Sequence, residues 1–424
     1  MWVKKKILPS SLELLMQIAN YFNEAVTLSA NNKVEEAIPL LEKAWHYSKG
    51  YNNVAKATVL RALGVAYSRI GNFQRAEYYH TKATAYNKKE VLSWCALAVI
   101  KKHGEKSQLH KRLLKLFDLN ITDIEKQYVY FALGKVFDDK GDYDTAFEYY
   151  FKGNELGKQS YPFETWDQCL NEFDELLNRS TAEHLAELGI DDSRFIFIVG
   201  MPRSGTTLLD SQLAKHKDII SKGEQIVLPS IKQSLDDYSG EWFYIKNILR
   251  QPHRIKELAQ RYVDETVVGE AKYYINKVPN NFTHLVMIQA LLPNAKIIHC
   301  KRHPIDTGLS CYFQNFHDCD QEWSFDMDGI VRYTNIYRDV MSYAENLLLD
   351  THVVQYEDLV SNQDTVLNGV FDFLNLSPAD CTDISGGAIN TASIWQARQP
   401  VYQSSIERWK NYEKHITPLL ALEQ

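Results

Sequence analysis

Gly200-Met201-Pro202-Arg203-Ser204-Gly205-Thr206-Thr207 carries the clearest chemistry in the chain. Two glycines bracket four residues, directly after the apolar run Phe195-Ile196-Phe197-Ile198-Val199 and before a helical segment. Strand, glycine turn and helix start shape a backbone into an anion cradle, because free N–H groups at the turn and the helix N-terminus face a phosphate-like group. The spacing is that of a nucleotide-binding P-loop. The lysine expected after the second glycine is missing, and Thr206 stands there. A loop that keeps the cradle, lacks that lysine and adds Arg203 suits a ligand other than an ordinary nucleoside triphosphate.

A second cluster runs Cys300-Lys301-Arg302-His303-Pro304-Ile305-Asp306-Thr307-Gly308-Leu309-Ser310. Arg302 follows a strand pattern, Pro304 sits where a helix begins, and Ser310 falls on that helix's second turn. An arginine fork with a hydroxyl beside a helix start can hold a second phosphate. Taken alone, Arg302 is better read as a surface or salt-bridged arginine; paired with the first loop, it reads as an anion ligand. Residues 391–402 have no regular apolar period and read as a long, functional loop ahead of a helix around 405–412.

The elements that position these residues fall into an α + α/β architecture. Residues 1–155 read as helices with an internal echo: Leu63-Gly64, Tyr67, Gly71, Ala76 and Ala83 recur as Leu133-Gly134, Phe137, Gly141, Ala146 and Gly153. Each offset is twice the period of a helix pair, and the spacings resemble tetratricopeptide repeats. Ala25, Asn32, Ala37 and Ala44 give a looser earlier copy, and residues 91–117 a degraded one. Small residues suit the closest approach of paired helices, and aromatics the gaps between pairs. Residues 156–193 read as a helical bridge. Residues 194–424 alternate strands (195–199, 273–276, 296–300, 351–355) with helices (204–215, 281–291, from 304, 363–374), which implies a parallel sheet with its ligand site at the strands' carboxyl ends.

Composition sets bounds. The 424 residues are 45% apolar and 24% charged with net charge −7, so no global basic field attracts nucleic acid. The cysteines at 95, 169, 300, 311, 319 and 381 form no CxxC pair, which argues against a zinc site or disulfide framework and for free thiols. Lys4-Lys5-Lys6 is followed by Pro9 and Glu13 rather than by an apolar signal core, and no apolar run reaches membrane-spanning length. A cytoplasmic protein is the expectation.

The loop Pro202-Arg203-Ser204-Gly205-Thr206-Thr207 resembles the 5′-phosphosulfate loop of sulfotransferases, and Arg302 with Ser310 resembles their 3′-phosphate motif. The resemblance covers about residues 194–424 and is nearest to the protein-tyrosine type and to proteins that join tetratricopeptide repeats to that domain. Gly223-Glu224, Asn276-Lys277-Val278-Pro279 and Tyr356-Glu357-Asp358-Leu359 resemble three further family segments. It implies 3′-phosphoadenosine 5′-phosphosulfate (PAPS) as donor, 3′-phosphoadenosine 5′-phosphate (PAP) as product, and no metal. By position, Glu224 would be the catalytic base and Lys277 a transition-state cation; charge builds on the leaving oxygen, and Lys277 or Arg203 could supply the cation there. Tyr356 would lie near the nucleoside, and Ser393 in the closing C-terminal segment. Where the protein-tyrosine type carries a lysine before the proline, this chain has Gln399, and Arg398 would take over that phosphate contact.

Sulfuryl transfer needs in-line attack and a group to take the acceptor's proton. Glu224, in a Lys-Gly-Glu-Gln turn, also reads as a solvated glutamate, and His216, His284, His303 and Glu270 are rival bases with structural readings of their own. The acceptor would be a hydroxyl on a peptide, glycan or small molecule. The repeats would offer a groove to a protein partner or support a homodimer. A small-molecule P-loop kinase and a repeat scaffold with an inactive nucleotide domain stand as alternatives.

Overall fold

A computed structural model of the chain describes residues 11–31, 33–235, 244–316, 321–381 and 404–423. These form two compact units, one ending at Gly157 and one beginning at Lys158.

The first unit stacks helices in successive pairs. These are α1 (Ser11–Ala30) with α2 (Val34–Ser48), α3 (Asn53–Arg69) with α4 (Phe73–Tyr86), α5 (Val91–Val99) with α6 (Leu109–Leu114), and α7 (Asp123–Asp139) with α8 (Tyr143–Gly157). The echo in the sequence is a repeated helix end followed by a repeated helix start. Gly71 and Gly141 follow α3 and α7 with φ of 81° and 78°, a left-handed backbone that glycine adopts without strain. Asn72 and Asp142 then accept hydrogen bonds from the amides of Arg75 and Thr145, capping α4 and α8. Gly64 lets α4 approach closely: a Cβ there would stand 2.5 Å from the His80 ring.

The second unit opens with α9 (Phe163–Leu176) and α10 (Arg179–Leu188), which pack on helices of that unit. Then follow β1 (Phe195–Gly200), α11 (Thr206–Leu213), β2 (Ile219–Ser221), α12 (Val227–Leu235), α13 (Tyr244–Arg250), α14 (Pro252–Thr266), β3 (Tyr273–Lys277), α15 (Leu285–Leu291), β4 (Lys296–Lys301), α16 (Pro304–Tyr312), α17 (Met327–Ala344), β5 (Asp350–Gln355), α18 (Tyr356–Ser361) and α19 (Gln363–Phe373). The strands form one parallel sheet in the order β2-β3-β1-β4-β5. Every residue of β1 is buried, as a central strand covered on both faces requires. Ile196 and Ile198 pack with Leu209, Leu213 and Val370 on one face, and Phe195 and Phe197 meet Tyr262 on the other. The chain leaves β1 toward β2 and leaves β4 toward β5, so the switch point lies between β1 and β4. The loops carrying Arg203 and Arg302 emerge there.

Two segments differ from the sequence expectation. Residues 281–291 are a 3₁₀ turn (Pro279–His284) followed by α15. The helix expected around 405–412 is instead a turn followed by 3₁₀ helices Arg408–His415 and Thr417–Glu423. Their buried residues, Trp409, Tyr412, Ile416, Leu419 and Leu422, are mostly three apart, the period of a 3₁₀ helix.

Candidate active site

The loop after β1 is held in an unusual backbone. Arg203 and Gly205 flank Ser204 with φ of 70° and 97°, and non-glycine residues in that region cluster at functional sites. Gly205 caps α11 without a side chain, leaving the first-turn N–H groups free of a side-chain acceptor. A Cβ on Gly205 would meet the Tyr356 ring at 2.5 Å, so the loop can pass beneath that tyrosine only as glycine.

Arg203 and Arg302, with their neighbours, form one cluster. Arg203 Nε donates to Ser310 Oγ at 3.1 Å. Arg302 donates to the carbonyls of Arg203 (2.9 Å) and Ser405 (2.8 Å), and its guanidinium lies 4.7 Å from the Tyr356 ring centroid. Tyr356 and Ser405 share a hydroxyl hydrogen bond of 2.7 Å. Both guanidiniums act on Cys311, whose thiol burial nonetheless pushes up to about 12. Ser204 Oγ and Arg302 Nε are buried without a hydrogen-bond partner among the described residues. Orphaned donors beside a helix start are what an anionic group would satisfy.

A second cluster stands at the ends of β2 and β3. Lys277 is 2% exposed, and its Nζ contacts Glu224 Oε1 at 2.5 Å, with Glu224 open to solvent at 36%. A buried ammonium needs such a partner. Asn276 bonds Tyr262 and Asn281, which fixes the end of β3. Asp210, on α11, accepts from Ser221 Oγ at 2.6 Å. Burial raises the Asp210 carboxyl above its usual range, and Lys277 and the Ser221 hydroxyl oppose that rise.

The rival bases differ in their surroundings. His216 uses Nε2 on the Ser377 carbonyl and Nδ1 on the Asp218 amide, which leaves its ring no lone pair to join the nearby Asp218 and Asp380 carboxylates on a metal. Burial lowers His284 to about 3. His303 stacks on Trp409 with its Nδ1 buried and unpartnered among the described residues, and Glu270 is exposed. A cleft of about 980 Å³ runs along β4, β5 and α17; it shares Ser204 and Arg302 with the site but does not reach Lys277 or Glu224. Ser393, Arg398 and Gln399 lie outside the described residues.

Sequence reasoning missed Asp210, Ser221, Asp306 and Ser405. The Asp306 carboxylate accepts from the amides of Glu407 and Trp409, at 2.7 and 3.0 Å, and so ties the C-terminal segment to α16. The one signal was spacing: Asp210 falls one helical turn after Thr206.

Residues 195–380 match the sulfotransferase family, and residues 59–92 and 128–156 match tetratricopeptide repeats. An uncharacterized protein of Aquifex aeolicus is 30% identical over 426 residues, covering 95% of this chain and 54% of its own length. The chain therefore spans about half of that relative. Protein-tyrosine sulfotransferase 2 of Gallus gallus is 24% identical, covering 53% of this chain and 68% of its own. Protein-tyrosine sulfotransferase 1 of Homo sapiens is 35% identical, covering 25% of this chain and 30% of its own. Among solved structures, the sulfotransferase domain from the curacin biosynthetic pathway is 19% identical, covering 55% of this chain and 97% of its own at a TM-score of 0.39.

Proposed function

We propose that this chain, in which tetratricopeptide repeats precede a sulfotransferase-family domain, transfers a sulfuryl group from PAPS to a hydroxyl acceptor. The observation that carries the reading is the arrangement at the strand ends: a glycine loop with orphaned donors, an arginine–serine pair beside it, and a buried lysine bonded to a half-open glutamate. PAPS supplies a sulfuryl group already activated on a phosphate. Ser204 and the first-turn amides at Thr206 and Thr207, with Pro202 and Gly205 shaping the loop, would hold the 5′ end. Arg203, Ser310 and Arg302 would hold the 3′-phosphate, Arg302 exchanging carbonyl partners for phosphate oxygens. Tyr356 would flank the nucleoside, and Ser393 and Arg398 would close over it.

Glu224 Oε1 would take the acceptor's proton. Neutralising that carboxylate removes the charge that Lys277 faces. The ammonium can then turn its hydrogen bond to the oxygen gaining charge on the leaving side, where a cation lowers the barrier most. A tyrosine hydroxyl on a peptide is the first acceptor to try, since several relatives are named for it, with glycans and small alcohols next. The repeats would recruit a protein partner. Among the described residues no helix is long and apolar enough to cross a membrane. Free thiols at five described cysteines fit a reducing compartment such as the cytoplasm.

The test is transfer from labelled PAPS to peptide, glycan and alcohol pools. Wild type should label one pool, and Glu224→Ala should cut turnover by ~10²- to 10⁴-fold. Full turnover by Glu224→Ala would remove the base assignment. PAP binding without transfer to any pool would favour an inactive scaffold.

A further inference from the structure

One carboxylate beside Lys277 has no part in the chemistry above. Asp210 lies on the face of α11 that also carries Thr206, one turn earlier. Its Oδ1 accepts the Ser221 hydroxyl at 2.6 Å, and Ser221 Oγ accepts the Gly223 amide at 3.2 Å. The Gly223 carbonyl accepts the Lys277 amide at 3.0 Å. Glu224 is the next residue and meets Lys277 Nζ at 2.5 Å. A hydroxyl has one hydrogen to give, so the Asp210 acceptor fixes the sense of both Ser221 bonds. An unbroken relay thus runs from the helix that opens at the anion loop, through the turn, to the end of β3.

Apart from the relay, the turn is held by backbone pairing to β3, where the Lys222 amide donates to the Ile275 carbonyl at 3.2 Å. Gly223 has a left-handed φ of 64°, and a Cβ there would meet nothing within 4 Å. The strand before it, β2, is only 3 residues long. Packing that would fix Glu224 by contact is absent on the Gly223 side, so hydrogen bonds set where the carboxylate stands.

We infer that Asp210 is a positioning residue that, through Ser221 and Gly223, sets the Glu224–Lys277 pair at a fixed distance from the loop at the start of α11. The inference rests on the sulfuryl-transfer reading. It assigns Asp210 no contact with donor or acceptor. A displacement of about 1 Å at such a pair can cost ~10²-fold in rate without weakening binding.

The test uses the full chain, steady-state transfer from labelled PAPS to the acceptor that wild type modifies, and calorimetric titration with PAP. Asp210→Ala and Ser221→Ala should each lower kcat by ~10- to 100-fold while PAP affinity and the donor KM stay within about threefold. Asp210→Asn, whose amide oxygen still accepts from Ser221, should restore kcat to within about fivefold of wild type. Turnover within about twofold of wild type in both Asp210→Ala and Ser221→Ala overturns the inference. So does a parallel loss of PAP binding and kcat, which marks a merely structural tie, or an Asp210→Asn as slow as Asp210→Ala. If wild type binds PAP but transfers to no acceptor, the sulfuryl-transfer reading falls and the positioning role with it. The other failures all occur with an active wild type, so the two are told apart.

Discussion

Lys277 is the residue whose surroundings decide most. Its ammonium is almost wholly enclosed, and its close carboxylate partner is Glu224 at 2.5 Å. Removing one member of a buried ion pair leaves the other uncompensated. Because Glu224 is open at 36%, water screens part of the loss, and Glu224→Gln should cost about 1–3 kcal/mol. Adding Lys277→Met should recover most of it, since the uncompensated charge is then gone. Urea midpoints of the two variants check this; an unchanged midpoint in Glu224→Gln would mean that the pair does not form. At this scale Arg203, Glu224, Lys277, Arg302 and Ser310 were legible because each lies in a short local pattern. Asp210 and Ser405 were not, because their partners lie eleven residues away in one case and beyond β4 in the other, and only folding brings them together. The sequence also gave no sign that Arg302 would donate to two carbonyls as well as face Tyr356.

At the scale of elements, the α3–α4 and α7–α8 pairs and the loop between β1 and α11 are built around close approaches. In the repeat unit His80 sits under Gly64 and bonds Ser93. Burial, aided by Arg61, lowers its pKa from 6.5 to about 4. The folded unit therefore refuses a proton that the unfolded chain accepts below pH 6.5. The His80 contribution is complete above that pH and is lost as pH falls from 6.5 toward 4, by about 3 kcal/mol. His80→Gln should lose correspondingly less stability than wild type between pH 7 and pH 4, and denaturant melts at the two pH values measure the difference. Identical losses would mean that His80 is protonated in the fold. The repeated Gly71-Asn72 and Gly141-Asp142 helix junctions were readable from residue type alone. The three-residue β2 was too short to leave a pattern, and the C-terminal 3₁₀ helices follow a period of three that is easily taken for an α-helix.

For the whole molecule, the net charge is −7, yet Arg203, Lys277 and Arg302 all stand at the carboxyl ends of the strands. The parallel order β2-β3-β1-β4-β5 brings together loops more than a hundred residues apart in the chain. Alternating strands and helices made that sheet foreseeable; which loops would meet depended on the switch between β1 and β4. The central claim is that this meeting forms a seat for an adenosine carrying phosphate at both its 3′ and 5′ ends. Calorimetric titration of the full chain with PAP, set against magnesium-ATP, tests it most directly. PAP should bind saturably at one site and magnesium-ATP far more weakly, and Arg203→Ala and Arg302→Ala should each weaken PAP by ~10- to 100-fold. Saturable heat with magnesium-ATP and none with PAP would contradict the account.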